Sequence, residues 1–280
     1  MKSAVLFEKT KSKVLEKGEL YSTGLNNGFW GNKTEYAKQL NSYAVNYAKK
    51  KVKEATARDF IVSKAVGAIE GLNDAINSYY NRLRDLLSGF YPEAIKEIKS
   101  PEELSKFFIP LEKDIINRKL NLYGESMGAD MNTHDKKAVL NSIKTLDCLI
   151  LQRKELINYV EKEMSIIAPN LAEIAGGVIG AKLMSSAGGL ENLAKATASR
   201  IQVIGAEKAM FRHLKQGAKP PKYGLIMHHP LISEAPREMK GRLARTLSSK
   251  IAICVKVDFY SKGKNVASDM KKELEKRGKK

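Results

Sequence analysis

Apolar side chains in the middle of this chain recur with a helical period over two long stretches. From Ile61 they fall at Ala65, Ala68, Leu72, Ala75, Tyr79, Leu83 and Leu86, a four-three alternation with one residue of drift, which predicts a helix of about seven turns. Downstream, Val139, Ile143, Leu146, Ile150, Arg153, Ile157, Val160, Met164 and Ile167 keep the alternation throughout and predict a second helix of similar length. The connection from Tyr91 to Lys137 is polar and punctuated by Pro92, Pro101, Pro110, Gly124 and Gly128. Two such helices fold back most simply as an antiparallel coiled coil, although two amphipathic helices of an ordinary bundle satisfy the same pattern. Arg153 is the one polar entry in the second seam, positioned to fix register, to meet a carboxylate across the interface, or to reach solvent at an edge.

The flanking regions follow other rhythms. In residues 1–57, Ala4–Phe7 and Leu20–Leu25 read as short extended segments and Thr34–Ala55 as a helix, with Trp30 the only tryptophan. That is thin for an independent core, which points to docking on another protein. Beyond Pro169 the pattern breaks into short helices at Leu171–Ser185 and Leu190–Ala196, a brief extended stretch at Ile201–Ile204, and a helix at Ala206–Gln216 capped by Gly217. Lys219–Pro230 holds three prolines and a glycine and predicts irregular backbone. Pro236 opens a long helix to about Tyr260, with Leu243, Leu247, Ile251 and Val255 as its buried stripe. Lys262 onward reads as a charged, frayed tail.

Charge sharpens this outline. Of the formal net charge of +18, +13 sits in residues 200–280, which carry 20 basic and 7 acidic side chains, and +7 in residues 1–53; residues 54–199 are near neutral. Same-sign charge opposes compaction, but on meeting a polyanion it releases condensed counterions, so nucleic acid is the leading partner, ahead of an anionic membrane. Ile166–Leu193 is rich in small and apolar residues, with Gly176 and Gly180 at GxxxG spacing, yet Pro169, Asn170, Glu173 and Lys182 divide it below the ~20 residues that span a bilayer. Close packing of water-soluble helices is the expectation, and no membrane partner. Cys148 and Cys254 lack metal-ligand spacing and read as buried thiols in a reducing compartment. Met1–Thr10 is too poor in apolar residues for a secretory leader.

Catalytic chemistry is hard to assemble. There is no HExxH, GxSxG, Walker A or dinucleotide-binding glycine pattern, and the four histidines, His134, His213, His228 and His229, are not at ligand spacing. The expectation is a non-enzyme with no catalytic residues, no metal and no cofactor. Nucleic-acid contact fits better. On the Ala206–Gln216 helix, Ala206, Ala209, Met210 and Leu214 form an apolar face, while Lys208, Arg212 and Lys215 form a cationic stripe. Its N-terminus follows Gly205, so free N–H groups stand ready for a phosphate. On the long last helix Arg242, Arg245 and Ser249 share a face away from the buried stripe. Phe211, His213, Tyr223 and the His228–His229 pair lie among these residues and offer rings for stacking on unpaired bases, with a core role open for Phe211.

Several runs are identified with a known family. Pro169–Leu171, Gly176–Leu183, Ala187–Leu190, the block Ile201–Lys222, His229–Leu231, Ala235–Arg237, Gly241–Arg245, the Val257–Asp258 pair and the triplet Ala57, Arg58, Asp59 resemble the Nop domain, in its archaeal box C/D ribonucleoprotein branch. The resemblance covers about residues 55–261. It implies a mainly α protein: a shortened N-terminal α/β unit (1–57) for fibrillarin docking, a long antiparallel coiled-coil hairpin (58–167), an all-helical Nop domain (168–261) and a basic tail (262–280). It further implies a scaffold that grips a kink-turn guide RNA with a small kink-turn-binding protein of the ribosomal type. In that particle the chain self-associates through the coiled coil and positions the methyltransferase fibrillarin for guided ribose 2′-O-methylation. A splicing-type Nop assembly factor is the alternative. The implied location is the archaeal cytoplasm, or the nucleolus in a eukaryote. Carried onto this sequence, the RNA contacts are Lys208, Arg212, His213, Lys215, Arg242 and Arg245, with Gln202, Glu207 and Phe211 near the protein-partner junction.

Overall fold

The computed structural model describes residues 19–55, 58–109, 111–122, 126–261 and 263–278. The chain divides into two compact units, 1–57 and 58–280.

In the first unit, α1 (Glu19–Asn26) and α2 (Lys33–Ala55) are both helical. Leu20–Leu25, expected as extended, therefore lies inside a helix, and no strand occurs among the described residues, so the α/β reading of this unit is not supported and its described part is α. A short apolar run looks alike in a strand and a buried helix turn; here Trp30 decides. Its indole is buried and Nε1 donates to Tyr21 O at 3.0 Å. Gly24 lies under the ring, where a Cβ would stand 1.8 Å from Cζ2. Ala4–Phe7 lies outside the described residues.

The second unit is built on two unbroken helices, α3 (Arg58–Ser88) and α7 (Thr133–Ile167), which pack along their lengths. Asn132 caps α7 by accepting from Asp135 N, and Pro169 ends it by restricting Ala168. The α7 seam is the expected one: Val139, Ile143, Leu146, Val160 and Met164 are buried. On α3 the buried row is Val62, Val66, Ile69, Ile76, Tyr80, Leu83 and Leu87, while Ile61 and Leu86 are about half exposed. Leu83 is buried as expected, and the rest of the expected row is displaced by one position. Two adjacent rows of α3 are apolar, and the helix must serve two neighbours, α7 and α9 (Gly177–Ala187), so the row facing the space between them is the one covered.

Between the long helices, the polar connection, for which no element was expected, forms three helices: α4 (Pro92–Glu97), α5 (Pro101–Phe108) and α6 (Lys113–Leu120). Pro92 and Pro101 stand at helix starts, where a missing N–H costs nothing, so they open helices here and do not break them. Ser100 caps α5, and Phe90, Tyr91, Ile98, Leu104, Phe108 and Ile116 close on the ends of α3 and α7 as a core of their own. Between this head core and the base core, Arg153 donates to Asn73 Oδ1 across the α3–α7 interface (3.3 Å) and pairs with Glu102 (2.5 Å), so the carboxylate it meets stands on the connecting helix α5 and not on α3 as expected.

The base core joins both hairpin helices to the C-terminal elements. The stretch expected as one helix, Leu171–Ser185, splits at Gly176, whose φ of 82° belongs to glycine, into α8 (Pro169–Ala175) and α9. Gly177 and Gly180 let α9 approach α7 closely: a Cβ on Gly177 would stand 3.0 Å from Glu161 Cα. No described helix is long and apolar enough to cross a membrane. After α10 (Leu190–Lys195), the expected extended stretch is instead helical, as α11 (Ala198–Val203). Then come α12 (Glu207–Gln216), a 3-10 turn at Leu225–His228, α13 (Pro230–Ser233), α14 (Arg237–Tyr260) and α15 (Ala267–Gly278).

Helix α14 is the spine, packed by α8, α10, α11 and α15. Leu243, Leu247, Ile251 and Val255 are buried as the spacing predicts. Cys254 is buried too, and that burial pushes its thiol up to about 12. Cys148 is exposed, against expectation, because it lies off the α7 seam. The frayed tail is likewise corrected for its described part: α15 buries Ala267 and Leu274. A polar stitch holds it there. Buried Asp258 accepts from Asn170 N (3.1 Å), Asn170 Nδ2 (2.7 Å) and Leu171 N (2.8 Å), capping α8. Asn170 in turn donates to Lys264 O and accepts from Val266 N and Ala267 N.

Candidate nucleic-acid interface

Helix α12 buries none of its residues. It is presented by a turn that only glycines permit. Gly205 N donates to Glu207 Oε1 at 2.8 Å, and Gly224 N and Leu225 N donate to Gln202 O and Ile204 O at 2.8 and 2.7 Å. A Cβ on Gly224 would stand 1.9 Å from Ile204 O, so a side chain there cannot coexist with this stitching. Gln202 adds a third tie through Nε2 to Lys222 O (2.6 Å) and so braces the loop behind α12. The N–H groups of Glu207, Lys208 and Ala209 have no acceptor among the described residues, which leaves the positive end of the helix open as expected. The Gly205 N–H, by contrast, is taken by Glu207.

Lys208, Arg212 and Lys215 are exposed, and none has an ion-pair partner among the described residues. The same holds for Arg242 and Arg245 on the solvent face of α14. The two stripes are linked through α11, which packs on α14 and leads into α12. Cations kept apart from carboxylates retain their full charge for an incoming polyanion. His213 has a different post from its expected one: its Nδ1 lies 2.5 Å from Ala218 O, so the ring closes the C-terminal end of α12 beside Gly217.

Next to this stripe, α12 overhangs a groove of about 240 Å³. Val203 and Ile204 of the α11 end form its floor, Met210, Phe211 and Leu214 its wall, and Arg200 and Glu207 its charged rim. Phe211 and Leu214 are 61% and 72% exposed, so the core role left open for Phe211 is not taken up. Arg200 was not singled out by pattern; its one signal is a cation in the last turn before Gly205. The ring reading also narrows. Tyr223 packs against the base core, and His229 is half-buried, with Nε2 on Ile174 O (3.1 Å) and Nδ1 accepting from Leu231 N (3.2 Å). Burial holds that imidazole below its ordinary value. His228 and Phe211 remain exposed.

A family model described as "snoRNA binding domain, fibrillarin" (Nop) matches residues 68–280. The chain belongs to the Nop family. A NOP5 family protein of Methanocaldococcus jannaschii is 34% identical over 277 residues, covering 93% of this chain and 66% of that one. Nucleolar protein 56 of Saccharomyces cerevisiae is 34% identical over 254 residues, covering 82% and 50%. That of Schizosaccharomyces pombe is 32% identical over 237 residues, covering 77% and 48%. The Nop chain thus spans about two thirds of the archaeal relative and half or less of the nucleolar ones. Among solved structures, a fibrillarin/Nop5p complex matches in fold, with a TM-score of 0.53 at 24% identity over 98% of this chain and 89% of that one.

Proposed function

We propose that this Nop protein is the non-enzymatic scaffold of a box C/D guide ribonucleoprotein. The observation that carries the reading is the set of five exposed cations on α12 and α14, unpaired among the described residues, beside an apolar groove. The cations take RNA backbone at a kink-turn, and the groove under Phe211 takes the small kink-turn-binding protein, so that one helix reads a composite surface of RNA and protein. The family's description and the likeness to the solved fibrillarin/Nop5p complex support fibrillarin as the enzyme served: methyl transfer from S-adenosylmethionine belongs to fibrillarin, and this chain sets its distance from the guide. Self-association through the α3–α7 hairpin completes the particle.

The test is a mobility shift with kink-turn RNA preloaded with its small partner. Arg242→Glu with Arg245→Glu is expected to abolish the shift at moderate salt and to flatten the log-affinity against log-salt slope by about 0.9 for each duplex phosphate no longer neutralised. Binding equal to that of the parent overturns the reading. So does methyl transfer to RNA by the pure chain without fibrillarin.

A further inference from the structure

The exposed face of α14 does not stop at the two arginines. Residues Arg242, Arg245, Ser249, Ile253, Lys256 and Tyr260 follow one another by three and four and are all exposed, so they form one line along the helix. Five turns, about 27 Å, separate its ends. No carboxylate lies on it: the acids of α14 are Glu238, before the line begins, and Asp258, buried against α8. Lys256 has no ion-pair partner among the described residues. The far end carries a ring that its packing does not cover. Tyr260 is 62% exposed, and Phe259, packed on the base core, meets it edge to face with centroids 4.8 Å apart and planes at 86°. Its neighbour thus holds the ring in place while leaving most of it in water.

The line contains only two apolar side chains, Ile253 and Tyr260, set apart by Lys256, whereas a protein-docking patch is contiguous and depleted of charge at its centre. Three cations with no carboxylate among them, ending in an exposed aromatic ring, match a single strand of nucleic acid, whose phosphates follow the cations and whose bases stack. We propose that this line is a track for an unpaired RNA strand leaving the Arg242–Arg245 stripe, with Lys256 on its phosphates and Tyr260 stacked on a base. The inference rests on the RNA-binding reading of that stripe.

Fluorescence anisotropy on the full chain tests it, using preloaded kink-turn RNA in two forms, one flush-ended and one with a single-stranded extension. Tyr260→Ala is expected to weaken binding of the extended form about five- to a hundredfold and to leave the flush form unchanged. Tyr260→Phe should retain parent affinity, and Lys256→Gln should lower the salt slope on the extended form by about 0.7. The track is overturned if Tyr260→Ala binds both forms as the parent does, or weakens both alike. If Arg242→Glu with Arg245→Glu still weakens both RNAs in that case, the failure belongs to the track alone. A double reversal without effect on either RNA overturns the underlying reading as well.

Discussion

Replacing Asp258 with alanine removes the shared acceptor at the meeting of α8, α14 and α15. The carboxylate is 6% exposed and receives three donors: the backbone N–H groups of Asn170 and Leu171 and the Asn170 amide. The amide keeps its bond to Lys264 O, so the two backbone donors at the start of α8 bear most of the loss. Hydrogen bonds to a charged acceptor contribute about 1.5–3 kcal/mol each, and a buried donor stripped of its partner carries its full desolvation penalty. The expected cost is therefore about 3–5 kcal/mol, a large share of the stability of an ordinary domain. Urea unfolding followed by circular dichroism reads it, and hydrogen exchange at α14 amides isolates the unit concerned. Because Asn170 and Asp258 act on one another, Asn170→Ala with Asp258→Ala should cost less than the sum of the single changes by at least ~1 kcal/mol. A cost for Asp258→Ala below about 1 kcal/mol, or strict additivity with Asn170→Ala, refutes the reasoning.

Three further outcomes are expected. His229 binds its proton more weakly when folded than when unfolded, so its stabilisation is complete above the unfolded value of about 6.5 and is lost as the pH falls below it; thermal melts of His229→Gln should vary less between about pH 7 and pH 5 than those of the parent. Gly224→Ala drives a methyl into Ile204 O and should cost about 1–3 kcal/mol in a thermal melt while weakening RNA binding through the loosened base of α12. Arg153→Met, despite removing a hydrogen bond and an ion pair, should change the urea midpoint by less than about 1 kcal/mol equivalent, since Arg153 and Glu102 are a quarter and a half exposed and solvent screens their pair.

Long periodic segments were the most legible part of this fold. The α7 seam, the α14 stripe and the Gly217 cap follow from spacing and local chemistry alone, and so does the exposure of Lys208, Arg212 and Lys215. The α3 row slipped by one because periodicity names an apolar face but not the number of neighbours sharing it; α9 could not be placed against α3 from sequence. The helices of the hairpin tip are not legible in the sequence because Pro92 and Pro101 punctuate a loop and open a helix with equal ease, and only the hidden Leu104–Phe108–Ile116 core distinguishes the two. Of the candidate rings, His213 and His229 were claimed by backbone carbonyls near in space but uninformative in sequence, namely Ala218 O and Ile174 O.

Both α3 and α7 run without interruption through the head core and the base core. Each residue inserted into such a helix advances everything beyond it by about 1.5 Å and turns it by about 100°. A single insertion between Ile69 and Ile76 would thus swing the head's apolar side away from its mate while leaving the base untouched. The spacing between the two ends behaves like a gear train: it can be lengthened or shortened only by matched heptads in both helices, so evolution and design alike can tune its reach only in notches.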